Sequence, residues 1–184
     1  MTKKIIITGG LGYIGTELCK IYSGVSWNNE IIVVDNRFVS ERVNQLRNWN
    51  MEFIHGDILD KKLINKICHD ADIVHHLAGI TNVPRVKTES NQAHDAQIKL
   101  VAEEGTQNIL DSIKGKCKII MPSTHVVYEG IDIVKNDILE DESTKPVLSY
   151  STSKDINEKQ LKNSGKNYII LRLGSVYGYS NDTA

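Results

Sequence analysis

Short apolar runs recur along the chain at even intervals, and amphipathic stretches fill the distance between them. Runs this continuous are typical of strands that are covered on both faces, as in a parallel sheet. The pattern predicts six strands, around residues 5–7, 31–34, 51–56, 73–74, 119–120 and 168–171. It predicts helices at 13–23, 60–67, 91–114 and 150–164. This alternation indicates an α/β fold, a Rossmann-type doubly wound parallel sheet with helices on both faces.

The longest predicted helix carries a single apolar stripe. Its members follow a three-to-four spacing: Ile98, Val101, Ala102, Gly105, Ile109 and Ile113. The stripe faces either the sheet or a partner chain. Inside a helix, glycine costs about 1 kcal/mol relative to alanine, so we expect close packing at Gly105.

Two segments between these elements follow neither period. Residues 78–90 come after the fourth strand, and residues 129–146 come after the fifth. Acidic residues outnumber basic ones in the second segment, which we interpret as a solvated loop.

Length and charge limit the possible classes of protein. The 184 residues suit one domain, 1–184, and 40% apolar with 24% charged residues is ordinary for a soluble protein. A net charge of −1 gives no overall attraction to nucleic acid or to an anionic membrane. The chain has no apolar run of about 18 residues and no cleavage-site pattern after Lys3-Lys4. We therefore expect a cytoplasmic protein with neither signal peptide nor membrane span.

Cysteine and histidine spacing argues against a metal site. The cysteines are odd in number and widely separated, and we interpret them as buried thiols in a reducing compartment: Cys19, Cys68 and Cys117. The six histidines show no ligand spacing, and His75-His76 is more simply the end of a strand.

Four glycines lie within seven residues directly after the first strand, in TGGLGYIG. Gly10-x-Gly12-x-x-Gly15 and Gly9-x-x-Gly12-x-x-Gly15 both satisfy a dinucleotide-binding pattern. Glycine permits a tight turn, close approach of the backbone to a pyrophosphate, and close packing of helix on strand. The helix that follows adds N–H groups and a partial positive charge. The sequence therefore predicts a dinucleotide pyrophosphate on this turn.

Asp35 ends the second strand in IIVVDN, about 20 residues after Gly15. A carboxylate at this position accepts hydrogen bonds from the ribose 2′- and 3′-hydroxyls and repels a 2′-phosphate, which favours NAD over NADP. Arg37 lies close enough to bind a 2′-phosphate, so NADP remains an alternative cofactor. The simpler alternative role for Asp35 is that of an acid in a turn that ends the strand.

The stretch SYSTSK places Tyr150 and Lys154 four residues apart, on one face of a helix. A free tyrosine has a pKa near 10. A neighbouring ammonium and a positively charged nicotinamide both favour the phenolate, so we expect a lowered pKa and an acid/base role for Tyr150. Lys154 could also bind the nicotinamide ribose. An isolated Tyr-x-x-x-Lys pattern also occurs by chance.

The stretch MPSTHVVY puts Ser123 and Thr124 at the carboxyl end of the fifth strand. Ligands of α/β sheets bind at that end. Either hydroxyl could bind a substrate oxygen that is oxidised or reduced, and the alternative is that either one caps a turn.

Taken in order, these stretches resemble the extended branch of the short-chain dehydrogenase/reductase family, the nucleotide-sugar epimerases and dehydratases. The resemblance covers essentially the whole chain and rests on TGGLGYIG, VVDN, HGDILD, HHLAG, EGTQNIL, PSTHVVY, SYSTSK and LRLGSVYG. It implies NAD as the cofactor and a nucleotide-sugar as the substrate.

The resemblance also implies roles for individual residues. Thr124, Tyr150 and Lys154 would be catalytic. Asp57 and Ile58 would flank the adenine. The full set implied to bind the cofactor is Gly9, Gly12, Tyr13, Ile14, Gly15, Asp35, Asn36, Asp57, Ile58, Leu77, Ala78, Gly79, Tyr150, Lys154, Ser175 and Val176. Within it, residues 77–79 would line the phosphate–ribose side, and residues 175–176 would lie near the nicotinamide amide.

Several positions depart from the family pattern. The family often has asparagine where this chain has Ala102 and Ser175, and Ala102 weakens any proton route through a side chain at that position. Thr81 stands where several UDP-galactose 4-epimerases carry a lysine, which puts that activity in doubt. The 4,6-dehydratases carry an Asp-Glu pair after the catalytic threonine. This chain has His125-Val126 there, which argues against dehydration.

The leading interpretation is an NAD-dependent nucleotide-sugar epimerase that acts by transient hydride transfer between a sugar carbon and nicotinamide, with Tyr150 as acid/base. The alternatives are an NAD(P)H-dependent nucleotide-sugar reductase or dehydrogenase, a dehydratase, and a non-catalytic NAD-binding protein. The catalytic set argues against the last, because a pure binder needs no phenolate. The family often dimerises through the helices at 91–114 and 150–164. It also has a C-terminal substrate-binding domain, which we expect this chain to lack.

Overall fold

The computed structural model describes residues 2–25, 28–81, 91–131 and 137–178. In this part of the chain, six strands form one parallel sheet in the order β3-β2-β1-β4-β5-β6, which confirms the predicted fold. The strands are β1 (Lys4–Thr8), β2 (Glu30–Asp35), β3 (Glu52–His55), β4 (Ile73–His76), β5 (Lys118–Thr124) and β6 (Asn167–Leu173).

The strand order reverses direction between β1 and β4. The chain begins in the middle of the sheet, moves outward to β3, and then crosses back to place β4 on the other side of β1. Thr8 at the end of β1 pairs with Val34 of β2 and with His76 of β4. In open α/β sheets the crevice at such a reversal, outside the carboxyl ends of the strands, is where ligands bind.

Within the described ranges, six α-helices connect or flank the strands: α1 (Tyr13–Val25), α2 (Ser40–Asn48), α3 (Lys61–Cys68), α4 (Gln92–Leu100), α5 (Thr106–Ser112) and α6 (Ser149–Asn163). The sequence pattern did not predict α2. That helix is short and polar, and its only apolar side chains, Val43 and Leu46, are both buried. Two apolar positions are too few to establish a helical period.

The long helix predicted at 91–114 is divided. A π-helical turn, Val101–Gly105, separates α4 from α5. A Cβ on Gly105 would lie 2.3 Å from Ile58 Cδ1, which confirms the close packing expected there. The stripe faces this chain's own core, because Ile98, Ile109 and Ile113 are buried. The stripe therefore gives no support to a dimer, which stays a prediction.

Core side chains lie on both faces of the sheet. On β1, Ile6 points to the cluster under α3, α5 and α6, whereas Ile5 and Ile7 point to the cluster under α1 and α2. All three cysteines are buried and unpaired, as predicted. Burial raises the pKa of the Cys19 and Cys68 thiols to about 12, and that of the Cys117 thiol to about 11.

The two predicted loops are described only in part. Residues 82–90 of the first and 132–136 of the second lie outside the described residues. In the second segment residues 137–142 are largely exposed, as expected. Glu129 is exposed as well, and its carboxylate also binds the start of α6, a contact that the loop interpretation did not include. Within the described ranges, no helix is both long and apolar enough to cross a membrane, and no histidine, cysteine and carboxylate side chains cluster as metal ligands would.

A buried ion pair joins α6 to the last two strands. The Glu158 side chain is 1% exposed and accepts hydrogen bonds from Arg172 Nη2 at 2.6 Å and from Ser123 Oγ at 2.6 Å. Lys162 Nζ adds a contact at 3.1 Å. Burial opposes ionisation of Glu158, but the bonds from Arg172, Ser123 and Lys162 outweigh it and lower its pKa to about 2. The carboxylate therefore holds the carboxyl ends of β5 and β6 against α6.

We predict that Glu158→Gln lowers the free energy of unfolding by about 3 kcal/mol, because it leaves the partly buried Arg172 guanidinium without its counter-ion. The pKa of Glu158 is lower in the folded than in the unfolded chain. Its contribution is therefore complete above about pH 4.5 and is lost as the pH falls toward 2. Urea unfolding at pH 7 and pH 3 measures both effects, with the exposed Glu52→Gln as control. Equal stability of the two variants at pH 7 would contradict the prediction.

Candidate active site

The glycine-rich turn is held in a left-handed conformation at its first residue. Gly9 has φ of 69°, and its N–H donates to Val34 O at 2.7 Å. A Cβ on Gly9 would lie 2.6 Å from Ala78 N, so the turn packs directly on the backbone that follows β4. Only glycine fits this position.

The remaining glycines shape the start of α1. A Cβ on Gly15 would lie 2.6 Å from both Gly9 O and Gly10 Cα, so Gly15 lets the helix pack on the turn. On Gly12, a Cβ would lie 3.2 Å from Gly9 O, which is closer than an ordinary van der Waals contact, and 3.6 Å from Arg37 Nη2. The first-turn N–H groups of α1, from Tyr13 and Ile14 onward, point out of the helix end. This cradle fits a pyrophosphate.

Asp35 ends β2 as predicted, and its carboxylate also holds the turn in place. One oxygen accepts from Leu11 N at 2.9 Å. The other accepts from Arg37 N at 2.9 Å and lies 3.4 Å from Arg37 Nε. The Asp35 side chain is only 5% exposed, whereas that of Arg37 is 46% exposed. A carboxylate accepts about four hydrogen bonds and three are formed here, so capacity for a ribose hydroxyl remains.

The residues predicted to flank the adenine, Asp57 and Ile58, follow β3, and Asn36, another predicted cofactor ligand, follows β2. Asn36 Nδ2 donates to Asp57 Oδ2 at 3.2 Å, and Asp57 Oδ1 accepts from Leu59 N at 2.9 Å. The Ile58 side chain is 5% exposed and packs on Gly105, so any contact of Ile58 with adenine would come from its backbone. The structure therefore brings Asn36 and Asp57 together and turns the Ile58 side chain into the core.

Two further segments reach the same crevice. Ala78 N donates to Thr8 Oγ1 at 3.3 Å, and Leu77 N donates to Thr8 O at 3.1 Å. The loop after β6, which carries the exposed Ser175 and Val176, is tied to α1 by a hydrogen bond from Tyr13 OH to Gly178 O at 2.9 Å. This bond brings the segment predicted to contact nicotinamide to the glycine turn.

Tyr150 and Lys154 lie on α6, one turn apart. Lys154 Nζ is 5.9 Å from the centroid of the Tyr150 ring and donates to Pro122 O at 3.2 Å. A Cβ on Gly79 would lie 3.9 Å from the same Nζ, so the ammonium also reaches the loop after β4. One cation thus links α6, the end of β5 and the segment after β4.

The pKa of Tyr150 shifts in the direction opposite to the one expected from the sequence. Burial raises the pKa of the Tyr150 hydroxyl in the chain alone, whereas the neighbouring ammonium was expected to lower it. Burial also lowers the pKa of Lys154 to about 8, since few polar groups replace water around the ammonium. The desolvation of both groups outweighs their mutual effect.

The structure separates Ser123 from Thr124. Ser123 Oγ donates to the buried Glu158 and is therefore a structural residue. Thr124 Oγ1 accepts from Val126 N at 3.3 Å, which caps a 3₁₀ turn, His125–Tyr128. Among the described residues Thr124 shows no acceptor for its O–H, so this hydroxyl can still donate to a substrate oxygen.

A neutral histidine lies beneath the site. His76 Nδ1 is 3.1 Å from Thr8 Oγ1, and His76 Nε2 is 2.9 Å from Thr106 Oγ1. Burial and the charge of Lys154 lower the pKa of His76 to about 3. Asn157 joins the same hydrogen-bond network: its Nδ2 donates to Thr106 Oγ1 at 2.9 Å and to Ala102 O at 2.8 Å. At position 102 the backbone, not a side chain, therefore takes part in the polar network.

Sequence reasoning missed two side chains that hold the site. Arg42, on the unpredicted helix α2, is buried and donates to Leu11 O of the glycine turn. Glu129 binds the residues that precede α6. Neither lies in a motif, and both contacts join segments far apart in the chain, so no local spacing could have indicated them.

Comparison with known proteins leads to the same family as the sequence motifs. The model of the NAD-dependent epimerase/dehydratase family matches residues 5–184. The chain belongs to this family. It is 32% identical to a dTDP-D-glucose 4,6-dehydratase of Dictyostelium discoideum over 96% of its length, and 29% identical to a CDP-paratose 2-epimerase of Salmonella typhi over 95%.

Solved structures of family members share the fold. The Bordetella bronchiseptica enzyme WbmH in complex with NAD+ superposes with a TM-score of 0.81 at 25% identity over the whole chain. The UDP-glucuronic acid 4-epimerase from Bacillus cereus, in complex with UDP-glucuronic acid and NAD, gives 0.72 at 28% identity over 92% of the chain. The chain spans 44% and 58% of the two sequence relatives, and 60% and 55% of these two structures.

We predict that Gly15→Ala lowers NAD affinity at least tenfold and destabilises the fold, because its Cβ overlaps Gly9 O and Gly10 Cα. Gly24→Ala, in the same helix, is the matched control: a Cβ there meets nothing within 4 Å, and alanine should stabilise the helix by about 0.5–1 kcal/mol. Calorimetric titration with NAD and thermal unfolding test the pair. An unchanged affinity in Gly15→Ala would show that the turn does not depend on this close packing.

We predict that Lys154→Met raises the free energy of unfolding at pH 7 by about 1 kcal/mol, because it removes a buried charge, and weakens NAD binding. The pKa of Lys154 is lower in the folded than in the unfolded chain, where it is near 10.5. The unfolded chain therefore binds more protons above about pH 8, and wild-type stability should rise from there toward 10.5. The variant should lack this rise. Urea unfolding at pH 7 and 9.5 measures the difference, and parallel pH dependence of both proteins would contradict it.

Proposed function

We propose that this chain forms the NAD-binding and catalytic part of a nucleotide-sugar epimerase. The observation that carries the proposal is the placement of Lys154, whose ammonium joins the Tyr150 helix to Pro122 O, two residues before Thr124, beside the crevice of the glycine turn. Family membership and the sugar nucleotides named for its relatives support the substrate class.

NAD would be held by the residues around the turn. The pyrophosphate would lie over Gly12 and the first turn of α1, and Asp35 would accept from the adenosine ribose. Asn36 and Asp57 would lie on the adenine side. When bound, the nicotinamide supplies a reversible acceptor for a hydride from the sugar carbon.

Tyr150 and Thr124 would act on the reacting sugar hydroxyl. Thr124 donates a hydrogen bond to the oxygen, and Tyr150 takes up and returns its proton. Because burial raises the pKa of Tyr150, its phenolate needs the positive charge of Lys154, which is lost as the pH rises through about 8. Lys154 therefore acts on Tyr150 as a charge, while its bond to Pro122 O fixes its position.

Epimerisation fits the site better than loss of water. Elimination needs a second acid/base pair at the sugar. His125 and Val126 occupy the positions after Thr124, and His125 Nδ1 is 3.2 Å from Leu173 O. A carboxylate pair is therefore missing at these two positions. We place the enzyme in the cytoplasm, and the three buried, unpaired thiols support a reducing compartment.

The test is to purify the protein without added nucleotide, denature it, and identify what is released by mass spectrometry. Near-stoichiometric NAD is expected, because an epimerase recycles its cofactor within each turnover. Tyr150→Phe should retain NAD but lose turnover of a sugar nucleotide by at least 100-fold. An empty protein that binds NADH or NADPH from solution would instead favour a reductase, and near-normal turnover in Tyr150→Phe would exclude the role of Tyr150.

A further inference from the structure

The first turn of α6 is held from outside the helix by Glu129. One carboxylate oxygen of Glu129 accepts from Val147 N and from Leu148 N, both at 2.7 Å, and from Ser151 Oγ. Leu148 precedes the helix at the N-cap position, where serine or aspartate usually supplies the acceptor. Leucine has no such group. Ser151 Oγ also accepts from Val147 N at 3.3 Å and from Leu148 N at 3.2 Å, and Glu129 adds a shorter bond to each of these N–H groups.

Backbone hydrogen bonds continue the same junction. Lys145 N donates to Val127 O at 2.8 Å, and Gly130 N donates to Lys145 O at 2.9 Å. Residues 127–130 thus run beside residues 145–148. The first of these segments follows the turn capped by Thr124, and the second leads into Tyr150. Glu129 supplies the side chain that joins the two at the point nearest Tyr150.

The rest of α6 has its own attachments. Asn157 is bound to Ala102 O, and Glu158 is bound to Ser123 and Arg172. These contacts lie two turns beyond Tyr150 and do not depend on Glu129. In the first turn itself, Ser149 Oγ also donates to Asp95. Loss of the Glu129 carboxylate would therefore loosen the residues that lead into Tyr150 and leave the body of the helix in place.

We propose that Glu129 is a positioning residue for Tyr150: its carboxylate fixes the first turn of α6 against the segment that follows Thr124, so that both hydroxyls face the same substrate atom. This inference rests on the acid/base role proposed for Tyr150. A carboxylate at a helix N-terminus is also favourable to the helix dipole. Displacement of a reacting group by about 1 Å can lower a rate about 100-fold, so the effect on turnover should be large compared with the effect on folding.

The direct test compares Glu129→Ala and Glu129→Gln in the full chain. Amide hydrogen exchange at Val147 and Leu148 should be at least tenfold faster in the alanine variant, with exchange in β1 unchanged. The ¹³Cζ resonance of Tyr150, identified through Tyr150→Phe, should shift or broaden. Glutamine keeps an oxygen acceptor at the same reach and should restore much of both signals. Glu140→Gln, in the same acidic segment, is the control and should match the wild type.

The functional readout uses NAD and UDP-glucose as the probe sugar nucleotide. Glu129→Ala should lower kcat at least tenfold, with KM and the NAD dissociation constant within threefold of wild type, and Glu129→Gln should recover part of kcat. Equal losses in kcat and NAD affinity, in step with lost folded protein, would overturn the proposal. An unchanged Tyr150 resonance would also overturn it. If the wild type does not turn over UDP-glucose, the failure concerns the proposed function, and the resonance still decides the role of Glu129.

Discussion

The arrangement of the site depends on one close approach between two backbones, that of Gly9 after β1 and that of Ala78 after β4. A side chain on Gly9 would lie 2.6 Å from Ala78 N, and the turn adopts a φ of 69° that other residues avoid. This contact brings the start of α1 into the crevice between the two strands. Asp35 accepts from the N–H of Leu11 and Arg42 donates to the Leu11 carbonyl, so the two side chains together hold Leu11 in the turn. The cradle is thus fixed before any ligand arrives.

Around that cradle, burial sets the protonation states of the chemical groups. Tyr150 stays protonated and His76 stays neutral, while Lys154 becomes easier to deprotonate. The ion pair of Glu158 with Arg172 behaves differently, since its hydrogen bonds keep the carboxylate charged despite burial. The Glu158 carboxylate therefore stays charged at neutral pH, whereas the charge of Lys154 beside Tyr150 changes near pH 8. Such a division would suit the proton transfer proposed for Tyr150.

The sheet could be predicted because most of its strands contain a continuous apolar run, and the cradle could be predicted because its glycines lie within seven residues. The helix α2 was missed because only Val43 and Leu46 mark its buried face. The π-helical turn leaves no mark on the apolar stripe, and Gly105 indicated close packing without its geometry. The hydrogen bonds of Glu129 could not be predicted, because its partners, Val147 and Leu148, lie 18 and 19 residues away. The pKa direction of Tyr150 needed burial, which spacing does not supply.

The buried thiols give the two faces of this sheet separate chemical reporters. Cys19 lies in the cluster beneath α1 and α2, whereas Cys68 and Cys117 lie in the cluster on the opposite face. Thiolates are the reactive species, and pKa values of about 11 to 12 leave almost none at neutral pH. An alkylating reagent therefore labels each position only when its own layer of helices separates from the sheet. Labelling rates at the three positions would reveal whether the two halves of the core open together or one at a time.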